Sequence, residues 1–288
     1  MNLALALDVG GTKLAAAVVG SDGRVLARAV CPTPPDGDAE TLFAAVRGVL
    51  GEVSGAASEA TVCGVGCGGP MTGGGARVSP LNIAGWRDFP LRDRLREATG
   101  LPVFVDNDAK ALALGEGWVG AARDERNFIA MVVSTGVGGG IVLDGRLLDG
   151  DDGNAGHIGH VIVEPDGRMC ACGARGCLEA EASGTAIAAI TGRHAAEADA
   201  AMIERTGRLV GRAVASIANL LDLKLAVVAG SVALGFGAPF FAAAQAELDH
   251  SARLDFSRGA RIVPSGLGAD GPLVGAAAVG FRGVAAAS

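Results

Sequence analysis

Three thiols and an imidazole stand in a metal-ligand pattern: His160, Cys170, Cys172 and Cys177 follow H-x9-C-x-C-x4-C. One His and three Cys complete a tetrahedral zinc shell, and a complete shell is structural rather than catalytic. Gly173 and Gly176 permit the tight turns that would aim the thiolates inward. The plain alternative is three unligated cysteines in a loop, and His157 is a fifth candidate ligand. A second group could move a proton. In "VDNDAKALALGE", polar residues close an apolar strand, the end of an open α/β sheet that borders a ligand crevice. Asn107 could bind hydroxyls and Asp108 could take a proton; Asp108 could equally cap the helix that follows. A third group suits phosphate. "DVGGTK" follows one strand and precedes another, so Gly10 and Gly11 can present backbone N–H groups to an anion. Thr12 adds a hydroxyl, and Asp8 could meet a hydrated Mg²⁺. A simple glycine hairpin would look the same. A second Gly/Thr turn, "STGVGGG", occurs downstream.

Two other matches are set aside. "GVGCGG" fits G-x-G-x-x-G but runs into Pro70 instead of the helix that a dinucleotide fingerprint requires. "HIGH" spells a synthetase signature without its nucleotide-fold or lysine-loop context. Neither phosphate turn is a Walker A loop.

The elements that must hold these groups read as a repeat. Residues 3–30 and 128–150 each spell strand, Gly/Thr turn, strand, Asp-Gly hairpin, strand. Further strands are expected near 61–69, 102–108, 223–231 and 260–268. Helices are expected at 38–54, 91–99, 108–120, 184–190, 195–221, 237–248 and 273–282. Alternating strands and helices point to an α/β protein with the same β-rich unit used twice.

Composition limits the function. The 288 residues suffice for two ordinary lobes. A net charge of −7 argues against a nucleic-acid surface, which needs clustered Lys and Arg. No apolar run reaches the ~20 residues of a membrane helix, and Asp8 interrupts the N-terminal apolar stretch too early for a signal peptide. A cytoplasmic location is expected, where thiols stay reduced and clustered cysteines bind metal or catalyse.

Together these motifs resemble the ROK family of repressors, open reading frames and sugar kinases, over essentially the whole chain. The resemblance rests on "LDVGGTKLAAAVV", "PLNIAGWRDFPL" with Asn82 and Trp86, "VDNDAKALALGE", "STGVGGGIVLDGRLL", "GHIGHVIVEPDGRMCACGARGCLE" and the closing "GPLVGAAAVG". It implies an actin-like ATPase (ribonuclease H-like) fold with two α/β lobes, each on a βββαβα core, and a cleft between them. The implied domains are a small lobe over 1–115, with a helix from about 272 to 288 packing back on it, and a large lobe over 116–271 with the zinc loop.

The implied reaction is phosphoryl transfer from MgATP to a hexose hydroxyl, usually the 6-OH, with glucose the first expectation. N-acetylmannosamine, other hexoses, an aminosugar or a C7 cyclitol are the alternatives; a non-catalytic sugar sensor or a repressor is the competing class. No helix-turn-helix precedes the phosphate motif, which argues against the repressor. Position by position, the resemblance makes Asp108 the general base and gives the sugar to Asn82, Asn107, Asp108, His157, His160 and Glu179. ATP and its metal fall to Asp8, Gly10, Gly11, Thr12, Lys13, Thr135, Gly136, Val137 and Gly138, with Gly184 and Gly230 near the adenosine. The implied cofactors are structural Zn²⁺ and the Mg²⁺ of MgATP, and the implied assembly is a homodimer. Three departures stand out. His157 occupies the place of the family's usual Glu, Ser231 replaces a glycine in the adenosine turn, and the segment 191–200 is short.

Overall fold

The computed structural model describes residues 2–287. The chain forms two compact units. The first runs to Gly120 and adds Asp149–Ala155 and everything from Leu267 onward; the second is Ala121–Leu148 with Gly156–Gly266.

In the first unit, β1 (Leu3–Val9), β2 (Lys13–Gly20), β3 (Val25–Pro32), β4 (Ala60–Cys67) and β5 (Val103–Asn107) form one sheet in the order β3-β2-β1-β4-β5. The three-strand meander is antiparallel, whereas β4 and β5 join in parallel. In β1, large and small residues alternate. Leu3, Leu5, Leu7 and Val9 face a cluster with α1 (Ala39–Glu52) and the region of Trp86, while Ala4 and Ala6 face α8 (Gly271–Ala287). A period of two thus builds a thick core on one face and a flat seat on the other. Gly64 of β4 completes the seat: a Cβ there would collide with the Ala276 carbonyl and the Gly280 backbone. Helix α8 can lie this close because its own sequence is mostly Ala and Gly. Helix α1 starts where Asp38 accepts from the Thr41 N–H at 2.8 Å. Helices α2 (Leu91–Thr99) and α3 (Asp108–Val119) complete the unit.

The second unit repeats the topology. Strands β6 (Phe128–Val133), β7 (Val137–Leu143), β8 (Arg146–Leu147), β9 (Leu225–Ala229) and β10 (Arg261–Pro264) are ordered β8-β7-β6-β9-β10, again an antiparallel meander joined to a parallel pair. Its helices are α4 (Leu178–Ala182), α5 (Gly184–Thr191), α6 (Ala200–Leu221) and α7 (Ser231–Ser251).

Local chemistry moves several boundaries from their expected places. Asp199 accepts from Met202 N, so α6 begins at Ala200, and 195–197 is a separate 3₁₀ turn. Gly237 and Pro239 look like a helix start in the sequence; they form a kink inside α7, which begins six residues earlier. Strand β8 is only two residues long, and α4, five residues long, was not expected at all.

Candidate functional site

In the first unit, the turn after β1 is closed by Gly10 N–H donating to Lys13 O at 3.1 Å. Thr33, just past β3, buttresses it: its hydroxyl donates to Gly10 O at 2.7 Å, and its N–H donates to Thr12 O. Thr33 is buried, and nothing in its sequence surroundings marks it as a support of the phosphate turn. The backbone of Gly11 lies against Asn82, so two candidate residues from distant motifs meet. Asp8, next to last in β1, is largely buried. Burial pushes its carboxyl up to about 7, and the negative charge of Asp108 adds to the rise, while Lys13 and Arg28 pull it down. Two carboxylates close enough to repel are the arrangement that a divalent cation or a shared proton relieves.

Asp108 opens α3, but Asn107 caps the helix: its Oδ1 accepts from Ala109 N at 3.0 Å. Asp108, the first helical residue, shares that donor: its Oδ1 accepts from the same Ala109 N–H at 2.8 Å. The Asn107 amide NH₂, on the other side of the same group, remains directed toward Gly69.

In the second unit, the turn after β6 is held by Ser134 N–H donating to Gly136 O. The start of α5 is joined to it: Gly184 N–H donates to Ser134 O at 2.7 Å, and the Thr185 hydroxyl donates to Thr135 O at 2.9 Å. Gly230 joins from the end of β9. Its φ of 100° and its position over the Val133 backbone leave no place for a side chain. Ser231, beside it, lies 3.0 Å from Ser134, hydroxyl to hydroxyl. So Thr135, Gly136, Val137, Gly138, Gly184 and Gly230 all come from elements that converge on one turn. Glu179, on α4, reaches the same place: its Oε2 accepts from Val137 N at 2.9 Å.

The His160–Cys170–Cys172–Cys177 group is assembled, with all ligand atoms within 4.8 Å of one another. Cys172 Sγ and Cys177 Sγ are 3.7 Å apart, and Cys170 Sγ is 3.7 Å from His160 Nδ1. A disulfide would need about 2.05 Å. Tetrahedral zinc, with Zn–S near 2.3 Å, separates two sulfurs by about 3.8 Å. The donor set and its spacing therefore fit zinc. Nδ1 is the His160 nitrogen facing the thiols, which leaves Nε2 on the other edge of the ring. The His157 ring is nearly parallel to that of His160, with centroids 6.1 Å apart, and it stands outside the four-ligand group.

Two charged side chains unmarked by any motif, buried Glu181 and part-exposed Arg212, brace this loop. Glu181, two residues after Glu179, accepts from Arg168 N and from Arg205, and Arg212 donates to Val163 O and Glu164.

A family model described as the ROK family matches residues 4–281. The chain belongs to the ROK family. N-acetylmannosamine kinase of Escherichia fergusonii is 38% identical over 248 residues, covering 81% of this chain and 84% of that one. The same enzyme of Citrobacter koseri matches to the same extent. Among solved structures, a ROK family glucokinase from Streptomyces griseus in complex with glucose and AMPPNP superposes with a TM-score of 0.83 at 31% identity, covering 98% of this chain and all of that one. The ROK hexokinase of Thermus thermophilus gives 0.82 at 33% identity, covering 99% of each chain. The fold is accordingly the two-lobed α/β, actin-like ATPase fold expected of this ROK protein, and the expected sugar phosphotransferase agrees with these relatives. No helix among the described residues is long and apolar enough to cross a membrane.

Proposed function

We propose that this ROK protein transfers the γ-phosphoryl group of MgATP to the 6-hydroxyl of N-acetylmannosamine. The observation that carries the acceptor is His157, in the position where the family's usual residue is Glu, in a chain whose 38%-identical relatives are N-acetylmannosamine kinases. A carboxylate only accepts hydrogen bonds, which suits a ring of hydroxyl donors. A neutral imidazole can also donate, which suits the carbonyl oxygen of an N-acyl group. Glucose, the first expectation from the sequence, is the second reading, supported by the glucokinase and hexokinase neighbours.

Asp108 is the general base, since a sugar hydroxyl is a weak nucleophile until a carboxylate accepts its proton. Its place as the first residue of α3, directly after the strand end that carries Asn107, supports this reading. Asn82, Asn107, His157, His160 and Glu179 hold the sugar. The two Gly/Thr turns, with Asp8, Lys13, Gly184 and Gly230, hold the nucleotide, and the catalytic work is mainly positioning and neutralising charge. Asp8 would hold the Mg²⁺ of MgATP, which would neutralise phosphate charge there. His160, Cys170, Cys172 and Cys177 hold a structural zinc, whose work is to fix the His160 ring so that Nε2 is available to the sugar. The protein works in the cytoplasm as a homodimer, which light scattering on purified protein would test.

The acceptor reading is tested with His157→Glu. The expected result is a fall in kcat/KM for N-acetylmannosamine with a rise for glucose. An unchanged ratio between the two sugars removes His157 from acceptor choice.

A further inference from the structure

Lys110 is the one lysine in this chain buried at 3% exposure among the described residues, and none of the motifs accounts for it. It follows Asp108 by two positions on α3. All three of its ammonium protons have partners: Asp149 Oδ1 at 2.7 Å, Asp106 Oδ1 at 3.0 Å and Gly153 O at 3.1 Å. Arg282 of α8 meets the remaining oxygens of the same two acids, Asp149 Oδ2 at 3.1 Å and Asp106 Oδ2 at 3.9 Å. Two cations and two anions make a neutral, closed cluster.

What the cluster holds is informative. Asp106 is next to last in β5, directly before Asn107, which ends the strand, and Asp108, which opens α3. Asp149 and Gly153 belong to a seven-residue segment, Asp149–Ala155, that is part of the first unit although the chain on both sides of it is part of the second. The segment is folded into a closed loop by Ala155 N–H donating to Asp149 O at 2.9 Å. Only Gly156 separates it from His157. Within the cluster the Lys110–Asp106 pair is buried, and burying that pair costs desolvation that apolar packing would avoid, so it is weak as a device for stability alone.

We propose that Lys110 is a positioning residue for the acceptor, tying the strand end that carries Asn107 and Asp108 to the loop from which the chain enters His157. The proposal rests on the sugar-kinase reading. It differs from that reading in naming a residue that touches neither sugar nor nucleotide and acts through Asp106 and Asp149.

The test uses the full-length, zinc-loaded protein with Lys110→Met, Lys110→Arg and Asp149→Asn. Two quantities are read: the KM for N-acetylmannosamine against that for ATP, and amide hydrogen exchange of peptides spanning 149–157. In Lys110→Met the sugar KM rises about tenfold or more, the ATP KM moves less than about twofold, and exchange across 149–157 accelerates. Lys110→Arg recovers part of the sugar affinity. Asp149→Asn reproduces the effect from the loop side, and the double variant is no worse than the poorer single one, because both cut the same bond. Asp149 is half exposed, so its variant carries the test if Lys110→Met does not fold. Faster exchange without a change in sugar KM, an equal rise of both KM values, or unchanged exchange would each overturn the proposal. If the wild-type protein phosphorylates no sugar, the functional reading fails. Calorimetric titration of the same variants with N-acetylmannosamine then decides the positioning role, and unchanged affinity counts against it.

Discussion

Asp8→Asn should stabilise the protein, and by an amount that depends on pH. The Asp8 carboxyl is buried and faces the charge of Asp108, and together these raise its pKa from 3.8 to about 7. An acid whose folded pKa lies above its unfolded one binds more protons folded than unfolded between the two values. Stability is therefore lost as pH rises through that window and stays lost above it. A rise of about 3 units at 1.36 kcal/mol each makes ionised Asp8 a burden of about 4 kcal/mol at pH 8. At pH 5 only about 1.5 kcal/mol of this is present, because only the span from 3.8 to 5 has been crossed. The asparagine carries no such burden, so the stability difference between the two proteins should widen by roughly 2.5 kcal/mol from pH 5 to pH 8. Urea unfolding followed by tryptophan fluorescence suits the measurement, because Trp86 and Trp118 are the only tryptophans and both lie in the first unit with Asp8. Parallel stability-versus-pH curves for wild type and variant, in metal-free buffer, would show that Asp8 carries no such burden. The same variant should lose MgATP turnover, which would make Asp8 a place where stability is given up for function.

Other consequences can be checked separately. Asp108→Asn should cut kcat by about 10² to 10⁴ while sugar binding measured by calorimetry is kept; near-normal turnover removes Asp108 from the base role. Cys172→Ser opens the most exposed corner of the ligand group, so metal content should fall below one zinc per chain and sugar KM should rise. A zinc-free protein with normal sugar KM would show that the loop stands without metal. Gly64→Ala should cost about 3 kcal/mol in the same fluorescence-detected unfolding, because its methyl meets the α8 backbone, which cannot yield without lifting off the sheet.

The repeat was legible because each copy carries its own local punctuation. Asp22-Gly23 and Asp144-Gly145 sit in the hairpin turns, and Gly23, Asp144 and Gly145 take the positive φ values that such turns demand. The ligand group was legible for a similar reason: all four candidate ligands lie within eighteen residues of chain, so spacing alone brings them near one another. Contacts between distant segments left no such trace. Thr33 supports Gly10 from 23 residues away, and Lys110 meets Asp149 from 39 away. In sequence, Lys110 is simply a lysine on an apolar helix. Helix α4 was missed because five residues are too few to show a period. At α7, the Gly237–Pro239 pair carries the signals of a helix boundary, yet it is absorbed as a kink because helical residues pack on both sides of it.

The decisive measurement gives the purified, zinc-loaded chain MgATP and a panel of acceptors, with glucose, mannose, N-acetylglucosamine and N-acetylmannosamine among them. The expected product is a 6-phosphate of N-acetylmannosamine, formed with a kcat/KM about tenfold or more above that of any other sugar in the panel. Glucose preferred over N-acetylmannosamine would contradict the acceptor assignment, and no phosphorylated product from any sugar would contradict the kinase itself.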